Sequence, residues 1–208
     1  MKDKNEKIVK VVIGCYAVAL IPTVGVFFLW NFLEFGNFSW HIAIGDILNV
    51  LSSNIAATVI LYSLFNKYLW RIPLIKKLLS IEVPYVGGIW IGELVSSYDS
   101  FATSQPVELE FFQTFTDIRE CYNSTHAVEE SIAAEILPER EGNARIVFVY
   151  KTTATADRKG YTSHEGAAIL HVQDDGKLIT GEYFNDPMCY QNRKATWGKY
   201  INLHRKPK

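Results

Sequence analysis

Cysteine is scarce in this 208-residue chain, and the residue patterns of common metal and enzyme sites are missing. Three cysteines are too few for a disulfide framework, and we expect Cys121 and Cys189 to be reduced thiols. The histidines have no Cys or carboxylate at metal-ligand spacing, and there is no Gly-x-Ser-x-Gly nucleophile elbow. Asp174-Asp175-Gly176 is typical of a hairpin turn. We therefore expect no metal, no cofactor and no enzymatic activity.

Long apolar runs are also absent after residue 64, but two of them precede it. Residues 11–33 and 42–64 are uncharged except at Asp46, and each run is long enough to cross a hydrocarbon core of roughly 30 Å as a helix. A cleaved signal peptide is the alternative for the first run, but that run is too long and no small-residue cleavage site follows it. The sequence therefore predicts two N-terminal transmembrane α-helices in a hairpin at residues 1–66.

Lys and Arg are missing from the loop at residues 34–41 but frequent on the outer flanks of the two runs. The basic residues on these flanks are Lys2, Lys4, Lys7, Lys10, Lys67, Arg71, Lys76 and Lys77. Because short flanks rich in Lys and Arg stay in the cytoplasm, they predict a multi-pass membrane protein with both termini cytoplasmic. Residues 67–83 mix basic, aromatic and aliphatic side chains, which is typical of a basic connector at the membrane interface.

Three polar residues recur at helical spacing in the second run, namely Asp46, Asn49 and Ser53. Polar groups in hydrocarbon are costly, so this face should meet another helix or water. Two interpretations stay open: the face packs inside the hairpin, or it serves assembly between protomers.

Lys and Arg are fewer than Asp and Glu in residues 84–208. Residues 84–208 carry a net charge of −4, whereas residues 1–83 carry +3. An acidic domain does not neutralise the phosphates of long nucleic acids, so we expect no DNA or RNA polymer as partner. A small anionic ligand in one pocket remains compatible with this charge.

Short alternating segments separated by turn residues fill residues 84–208. The predicted strands are residues 89–95, 107–118, 131–137, 144–153, 164–172, 177–184 and 196–204. Seven or eight antiparallel strands without a confident helix form either a sandwich or a barrel. We favour a small antiparallel β-barrel of about eight strands, because closure removes exposed edges.

Alternation along these strands predicts which side chains face inward. If no bulge intervenes, Gln113 and Arg119 face inward with Phe111. Tyr150 and Thr152 share a face, and Lys199 shares one with Trp197, Ile201 and Leu203. Polar groups at inward positions are what a ligand-holding barrel needs.

The order of several short motifs resembles a known family. These motifs are Val83-Pro84, Gly88-Ile89-Trp90-Ile91-Gly92, Phe148-Val149-Tyr150, His164-Glu165-Gly166, Leu178-Ile179-Thr180-Gly181-Glu182-Tyr183-Phe184 and Trp197-Gly198. Together with two spans and a basic connector, they are similar to the two-transmembrane, β-strand-rich effectors of bacterial CBASS anti-phage systems, which accompany cyclic nucleotide synthases of the CD-NTase class.

The resemblance implies a non-enzymatic effector in the bacterial inner membrane. Its cytoplasmic barrel, residues 84–208, would bind a cyclic di- or oligonucleotide as activating ligand. The protein would then form homo-oligomers and disrupt the lipid membrane, so that the infected cell dies. Two other functions stay open: a membrane-tethered, lipocalin-like carrier of an apolar molecule, and a passive membrane scaffold.

The chemistry of a cyclic dinucleotide nominates the binding residues. Phosphates need Arg or Lys, bases need aromatic faces, and base edges need amide or hydroxyl groups. The candidates are Arg119, Arg193 and Lys199 for phosphate, Trp90, Tyr150 and Tyr183 for stacking, and Gln113, Thr152 and His164 for hydrogen bonds.

Overall fold

The computed structural model describes residues 2–35, 44–123, 127–154, 163–174, 176–186 and 195–207. The chain divides into two compact units, Met1–Leu79 and Ser80–Lys208. The predicted boundaries of the hairpin, connector and barrel at residues 66/67 and 83/84 stay predictions.

The first unit is helical. Helix α1 covers Lys2–Phe35 and α2 covers Ile44–Lys67, after which a 3₁₀ turn, Leu69–Arg71, leads into the short helix α3, Pro73–Leu78. Among the described residues, one helical segment is long and apolar enough to cross a membrane, Asn5–Val26 in α1, with a mean hydropathy of 2.0. That α2 also crosses the membrane stays a prediction.

A hydrogen bond between Asn54 and Thr23 joins the two long helices. The side chain of Asn54 in α2 is fully buried, and its Nδ2 donates a hydrogen bond of 3.4 Å to Thr23 Oγ1 in α1. By contrast, Asn49 and Ser53 are exposed, and Ser53 Oγ donates to the Asn49 carbonyl of its own helix at 2.7 Å. The interpretation that the polar face packs inside the hairpin is therefore wrong for Asn49 and Ser53. The side chain of Asp46 lies outside the described residues.

The second unit is a closed antiparallel barrel in which each strand pairs with the next and β8 returns to β1. The strands are β1 Gly88–Ser96, β2 Ser104–Gln113, β3 Ile118–Asn123, β4 Ala127–Pro138, β5 Ala144–Ala154, β6 His164–Gln173, β7 Leu178–Asp186 and β8 Thr196–Arg205. The prediction of a small barrel of about eight strands is confirmed.

The predicted strand at residues 107–118 is wrong, because a tight turn divides it. Gln113 ends β2, and the Thr114 and Asp117 backbones bond across the turn at 2.8 Å. The turn shifts the alternation, so Ile118 and Glu120 are buried while Arg119 is exposed. The prediction that Arg119 faces the barrel interior is therefore wrong.

The predicted face of the last strand is also wrong in part. Gly198 and Tyr200 are buried, whereas Trp197 and Lys199 are exposed on the outer surface. Asn202 has a positive φ of 49° near an irregularity in the pairing of β8, and the alternation changes there. Leu203 therefore points inward, as the sequence predicts.

Apolar side chains fill the half of the barrel where β1 begins and β8 ends, which we call the closed end. The buried core there includes Trp90, Phe111, Ile146, Leu170, Ile179 and Leu203. Residues 81–87 are fixed across this end by buried hydrogen bonds: Val86 N donates to Gln113 Oε1 at 2.7 Å, and Gln113 Nε2 donates to the Pro84 carbonyl at 3.0 Å. We call the opposite end, where β2, β4, β6 and β8 begin, the distal end.

Candidate functional site

Polar and aromatic side chains line the inside of the distal half of the barrel. The buried ones are Glu120, Glu129, Tyr150, Thr152, Tyr183 and Tyr200. Alternation along β3, β4, β5, β7 and β8 turns all six inward. A barrel that was merely packed would avoid such groups, because burying polar atoms without partners costs free energy.

Among the described residues, Glu129 has one hydrogen-bond partner inside the barrel. It lies opposite Thr152 in the pairing of β4 with β5, and Thr152 Oγ1 donates to Glu129 Oε2 at 3.0 Å. Burial leaves the Glu129 side chain only 8% exposed and raises its pKa to about 7, although the Thr152 hydrogen bond opposes the rise. This carboxyl therefore changes charge close to neutral pH.

Glu120 is the most deeply buried acidic side chain of the described barrel, at 2% exposure. Its backbone N–H donates to Ser131 Oγ at 2.9 Å, which places Glu120 beside β4 and diagonal to Glu129. Burial, reinforced by the charges of Glu129 and then Glu130, raises its pKa to about 9. Within the described residues, both Glu120 carboxyl oxygens and Glu129 Oε1 have no hydrogen-bond partner.

Two tyrosines lie against glycines of the neighbouring strand. The ring of Tyr150 covers Gly166 on β6, and its hydroxyl donates to Asn185 Oδ1 on β7. Tyr183 on β7 likewise covers Gly198 on β8. A side chain at either glycine would collide with the ring, so the glycines allow the rings to lie flat along the wall.

The tyrosine side chains form an aromatic surface next to the two glutamates. The rings of Tyr183 and Tyr200 have centroids 5.5 Å apart, and burial raises the pKa of both hydroxyls. The site therefore combines flat aromatic faces with hydrogen-bond acceptors. In the described strands every Lys and Arg is exposed.

The structure brings four of the nine predicted ligand-binding residues together at the distal end. Tyr150, Thr152 and Tyr183 point inward there, and His164 lies opposite Thr152 at the start of β6.

The other five predicted residues lie elsewhere. Trp90 and Gln113 are buried at the closed end, where Trp90 Nε1 donates to the Val86 carbonyl at 2.7 Å. Arg119 and Lys199 point outward, and Lys199 Nζ is 3.9 Å from Glu182. Arg193 lies outside the described residues.

Sequence reasoning missed Glu120, Glu129 and Tyr200 as site residues. The sequence does contain a signal for the glutamates, because residues two apart on a strand share a face. Glu120 is two residues from both Ile118 and Tyr122, and Glu129 is two residues after Ala127. It was hidden because the turn at Thr114 to Asp117 contains neither glycine nor proline. Among the described residues, no group of three or more His, Cys, Asp or Glu side chains is placed to hold a metal ion.

Known proteins resemble both units of this chain. The model of the family described as "Cap15, cyclic dinucleotide receptor domain" matches residues 81–202, which are most of the barrel unit. A relative from Escherichia albertii, "CD-NTase-associated protein 15", is 29% identical over 188 residues, 88% of this chain and 90% of the relative. A protein with the same description from Yersinia aleksiciae is 26% identical over 138 residues, 66% of this chain and 62% of the relative.

The family match covers more than half of the chain and coincides with the closed barrel whose distal half has the polar, aromatic interior. The first relative extends the similarity over nearly the whole chain, including most of the helical unit. The resemblance inferred from the short sequence motifs is thereby confirmed. This chain belongs to the Cap15 family of CBASS effectors, which carry a cyclic dinucleotide receptor domain.

Proposed function

We propose that this protein is a membrane-anchored receptor that binds a cyclic dinucleotide in the distal half of its barrel. The family match at residues 81–202 supports the ligand class. The polar and aromatic lining supports the location, because it is the part of the described interior that offers partners to a nucleotide. The observation that carries the proposal is the inward cluster of Glu120, Glu129, Thr152 and three tyrosines.

The bases of the ligand match the barrel interior, and its phosphates match the mouth of the barrel. Its bases enter the barrel, where Tyr183 and Tyr200 offer ring faces and Thr152 and His164 offer hydrogen bonds. Its phosphates stay at the mouth, because acidic and aromatic side chains line the inside and every Lys and Arg of the described strands is exposed on the outside. Arg193, which the sequence places between β7 and β8, is the proposed phosphate partner, and the outward Arg119 and Lys199 are not part of this proposal.

The polar lining argues against the lipocalin-like alternative. A carrier of an apolar molecule needs a dry, apolar cavity, whereas both carboxyl oxygens of Glu120 and Oε1 of Glu129 would remain desolvated and unpaired beside such a ligand. The apolar half of the barrel is already filled by its own side chains, including Trp90 and Phe111.

The helical unit disrupts the membrane after the ligand has bound. α1 and α2 both cross the bacterial inner membrane, with both termini in the cytoplasm. Ligand binding favours a state in which the exposed polar side chains Asn49 and Ser53, together with Asp46, associate between protomers in the lipid. The resulting homo-oligomer disrupts the membrane and kills the infected cell, and this step involves no catalysis.

Leakage of liposomes tests this proposal with the full chain. Protein reconstituted into vesicles that contain a trapped dye should release it when a cyclic dinucleotide is added to the barrel side. Asn49→Leu with Ser53→Ala should bind the ligand but release no dye, and Ile55→Leu, an exposed apolar position of α2, is the matched control. Leakage without ligand, or no leakage with any cyclic dinucleotide, contradicts the proposal.

A further inference from the structure

We propose that the barrels of neighbouring copies associate head to tail through their outer walls, with a bulky aromatic side of one barrel packed on a small-residue side of the next. This inference rests on the proposed function, because it names a surface through which the ligand-promoted homo-oligomer assembles. The partner on both sides is a second copy of this chain.

The outer wall of the barrel carries one apolar row across five neighbouring strands. Four of its five side chains are exposed and one is half-buried. They lie directly opposite one another in the pairing of β4 to β8, and they are Ala133, Val149, Ala167, Phe184 and Trp197. Single exposed apolar side chains are ordinary on a protein surface, but a continuous row is typical of an interaction surface.

Charged side chains lie along both borders of this row. They are Glu130, Lys151 and Glu165 toward the distal end, and Glu135, Glu182 and Lys199 toward the closed end. With four acidic and two basic side chains, these borders are repelled by the anionic headgroups of a membrane surface. The row therefore fits a protein surface better than a lipid surface.

The two ends of the row differ in side-chain size. Phe184 and Trp197 are large, and Phe101 lies edge-on against Trp197 with the ring centroids 4.7 Å apart. We call these three residues the bulky side. Ala133 and Val149, at the other end of the row, form the small side.

The bulky side and the small side face in different directions. The row ends on β4 and β8, which are four strands apart in a closed barrel of eight and so lie on opposite sides of it. A molecule with complementary surfaces on opposite sides associates head to tail, and it builds an extended assembly rather than a two-fold dimer.

Charge also favours contact between the bulky side of one copy and the small side of the next. Lys199 lies two residues after Trp197, and its Nζ is 5.8 Å from the centroid of the Trp197 ring. Glu135 lies two residues after Ala133. Because β4 and β8 run in the same direction, parallel barrels that pack the bulky side on the small side bring Lys199 of one copy to Glu135 of the next. Contact between two bulky sides would instead bring two lysines together.

The contact is smaller than the interface of a stable dimer. The exposed fractions of Phe184, Trp197 and Phe101 are 46%, 40% and 39%, so the bulky side offers roughly 250 Å² if an aromatic side chain has about 200 Å². A standard interface buries about 800 Å² on each partner. The barrels therefore need a second attachment, and the membrane anchor that we propose supplies it by raising their effective concentration.

The strands themselves connect this row with the ligand site. Val149 precedes Tyr150 and Phe184 follows Tyr183, so both row residues are next in sequence to inward tyrosines. Trp197 precedes Gly198, which the Tyr183 ring covers. A ligand that orders the tyrosines also orders the outward side chains of the same strands, which reduces the entropic cost of the contact. The ligand should therefore promote association.

Disulfide cross-linking of the full chain in vesicles tests the contact. The parent protein carries Cys15→Ser, Cys121→Ser and Cys189→Ser. Adding Glu135→Cys together with Lys199→Cys should give, on oxidation, a ladder of dimers, trimers and larger species, because each copy then has one cysteine on each side. Cyclic dinucleotides that carry guanine, adenine, uracil or cytosine are the ligands added, and the one that binds should strengthen the ladder.

Three controls accompany the double variant. Glu135→Cys alone and Lys199→Cys alone should each give at least about tenfold less cross-linked product, because a head-to-tail contact never brings two equivalent positions together. Glu135→Cys with Phe112→Cys should also give no ladder, since Phe112 is an exposed aromatic residue on β2, outside the row.

A charge exchange provides a second measurement, which keeps all native cysteines. Lys199→Glu should reduce the oligomer that the detergent-solubilised full chain forms with ligand by at least about threefold, because two acidic groups then meet. Glu135→Lys in the same chain should restore the oligomer. A role of Lys199 within its own barrel would not be rescued in this way.

The outcomes separate the inference from the proposed function. A dimer formed by Lys199→Cys alone, without larger species, would show that two bulky sides meet and would overturn the head-to-tail contact. Absence of the ladder, or no rescue by Glu135→Lys, in a protein that still binds ligand and forms oligomers overturns the inference and leaves the receptor function standing. If no cyclic dinucleotide binds and no oligomer forms, both fail.

Discussion

Gly166 on β6 lies directly beneath the aromatic ring of Tyr150 on β5. A Cβ at position 166 would lie 2.6 Å from the Phe184 carbonyl oxygen and in collision with the Tyr150 ring. The missing side chain lets the ring lie flat along the wall, so that the Tyr150 hydroxyl reaches Asn185 two strands away. The shape of the distal half thus depends on a glycine as much as on the polar groups.

Gly166→Ala should therefore destabilise the barrel. Overpacking of this kind costs about 1–3 kcal/mol, because the ring and the Phe184 backbone must both shift. Chemical denaturation of the full chain measures the loss in free energy of unfolding. Glu165→Ala, exposed on the outer face of the same strand, is the control and should change stability by less than about 0.5 kcal/mol. Equal stability of Gly166→Ala and wild type would contradict the close packing of Tyr150.

Glu120→Gln should make the protein more stable in alkaline solution. Burial raises the pKa of Glu120 from 4.5 to about 9, so between these values the folded state holds a proton that the unfolded chain has released. Stability from this group is complete below pH 4.5 and is lost as pH rises toward 9. The neighbouring tyrosines stay neutral in this window because their pKa values are raised.

Thermal unfolding at pH 5, 7 and 8.5 measures the effect. At pH 8.5 the free energy of unfolding of Glu120→Gln should exceed that of the wild type by at least about 1 kcal/mol, which is less than the full pKa shift would give. This difference should shrink toward pH 5. Glu165→Gln, at an exposed position on β6, is the control and should change stability by less than about 0.5 kcal/mol at each pH. A gain that is the same at all three pH values would show that Glu120 is not held protonated in the folded barrel.

Gln113→Ala should weaken the fold without weakening ligand binding. Its side-chain amide satisfies two buried backbone groups at the closed end, Val86 N–H and the Pro84 carbonyl. Truncation leaves both unpaired, at a cost of about 1–3 kcal/mol each. The readouts are the melting temperature and the dissociation constant of the cyclic dinucleotide. Unchanged stability with lost binding would instead place Gln113 in the ligand site.

Thr23→Val should loosen the pairing of α1 with α2. It removes the acceptor of the Asn54 Nδ2 hydrogen bond and leaves a buried amide without that partner. In the membrane hairpin that we propose, a hydrogen bond between helices is worth about 0.6 kcal/mol on average, so the effect should be small. Ser63→Ala, whose exposed hydroxyl bonds its own helix, is the control. Steric trapping or cysteine cross-linking of α1 to α2 measures it. A stronger effect of Ser63→Ala than of Thr23→Val would contradict this helix interface.

The sequence predicts the barrel well because its strands alternate clearly and are bounded by turn residues. It predicts the shared face of Tyr150 and Thr152 for the same reason, since β5 runs without a shift of alternation through these residues. Arg119 and Lys199 were misplaced because single local events reverse the faces of strands. One is the glycine-free turn before Ile118, and the other is the irregularity at Asn202, which has a positive φ.

The composition of the site depends on these same local events. Once the turn after Gln113 is known, Glu120 replaces Arg119 on the inner face, and the barrel interior changes from basic to acidic. The hypothesis that Arg119 and Lys199 contact phosphates inside the barrel is therefore wrong, because both side chains point outward. The residues that close the other end, residues 81–87, carry no pattern that predicts their hydrogen bonds to Gln113 and Trp90.

The distal location of the ligand is the central claim, and binding by variants of the two ends tests it most directly. Thr196→Trp places a bulky ring at the half-buried start of β8 and should weaken binding of the cyclic dinucleotide to the full chain by at least about tenfold. Arg119→Ala, on the outer surface, should bind like wild type, as should Gln113→Ala at the closed end. Circular dichroism should confirm that all three proteins are folded at the temperature of measurement. Undiminished binding by Thr196→Trp, together with loss of binding in Arg119→Ala or Gln113→Ala, would contradict the account.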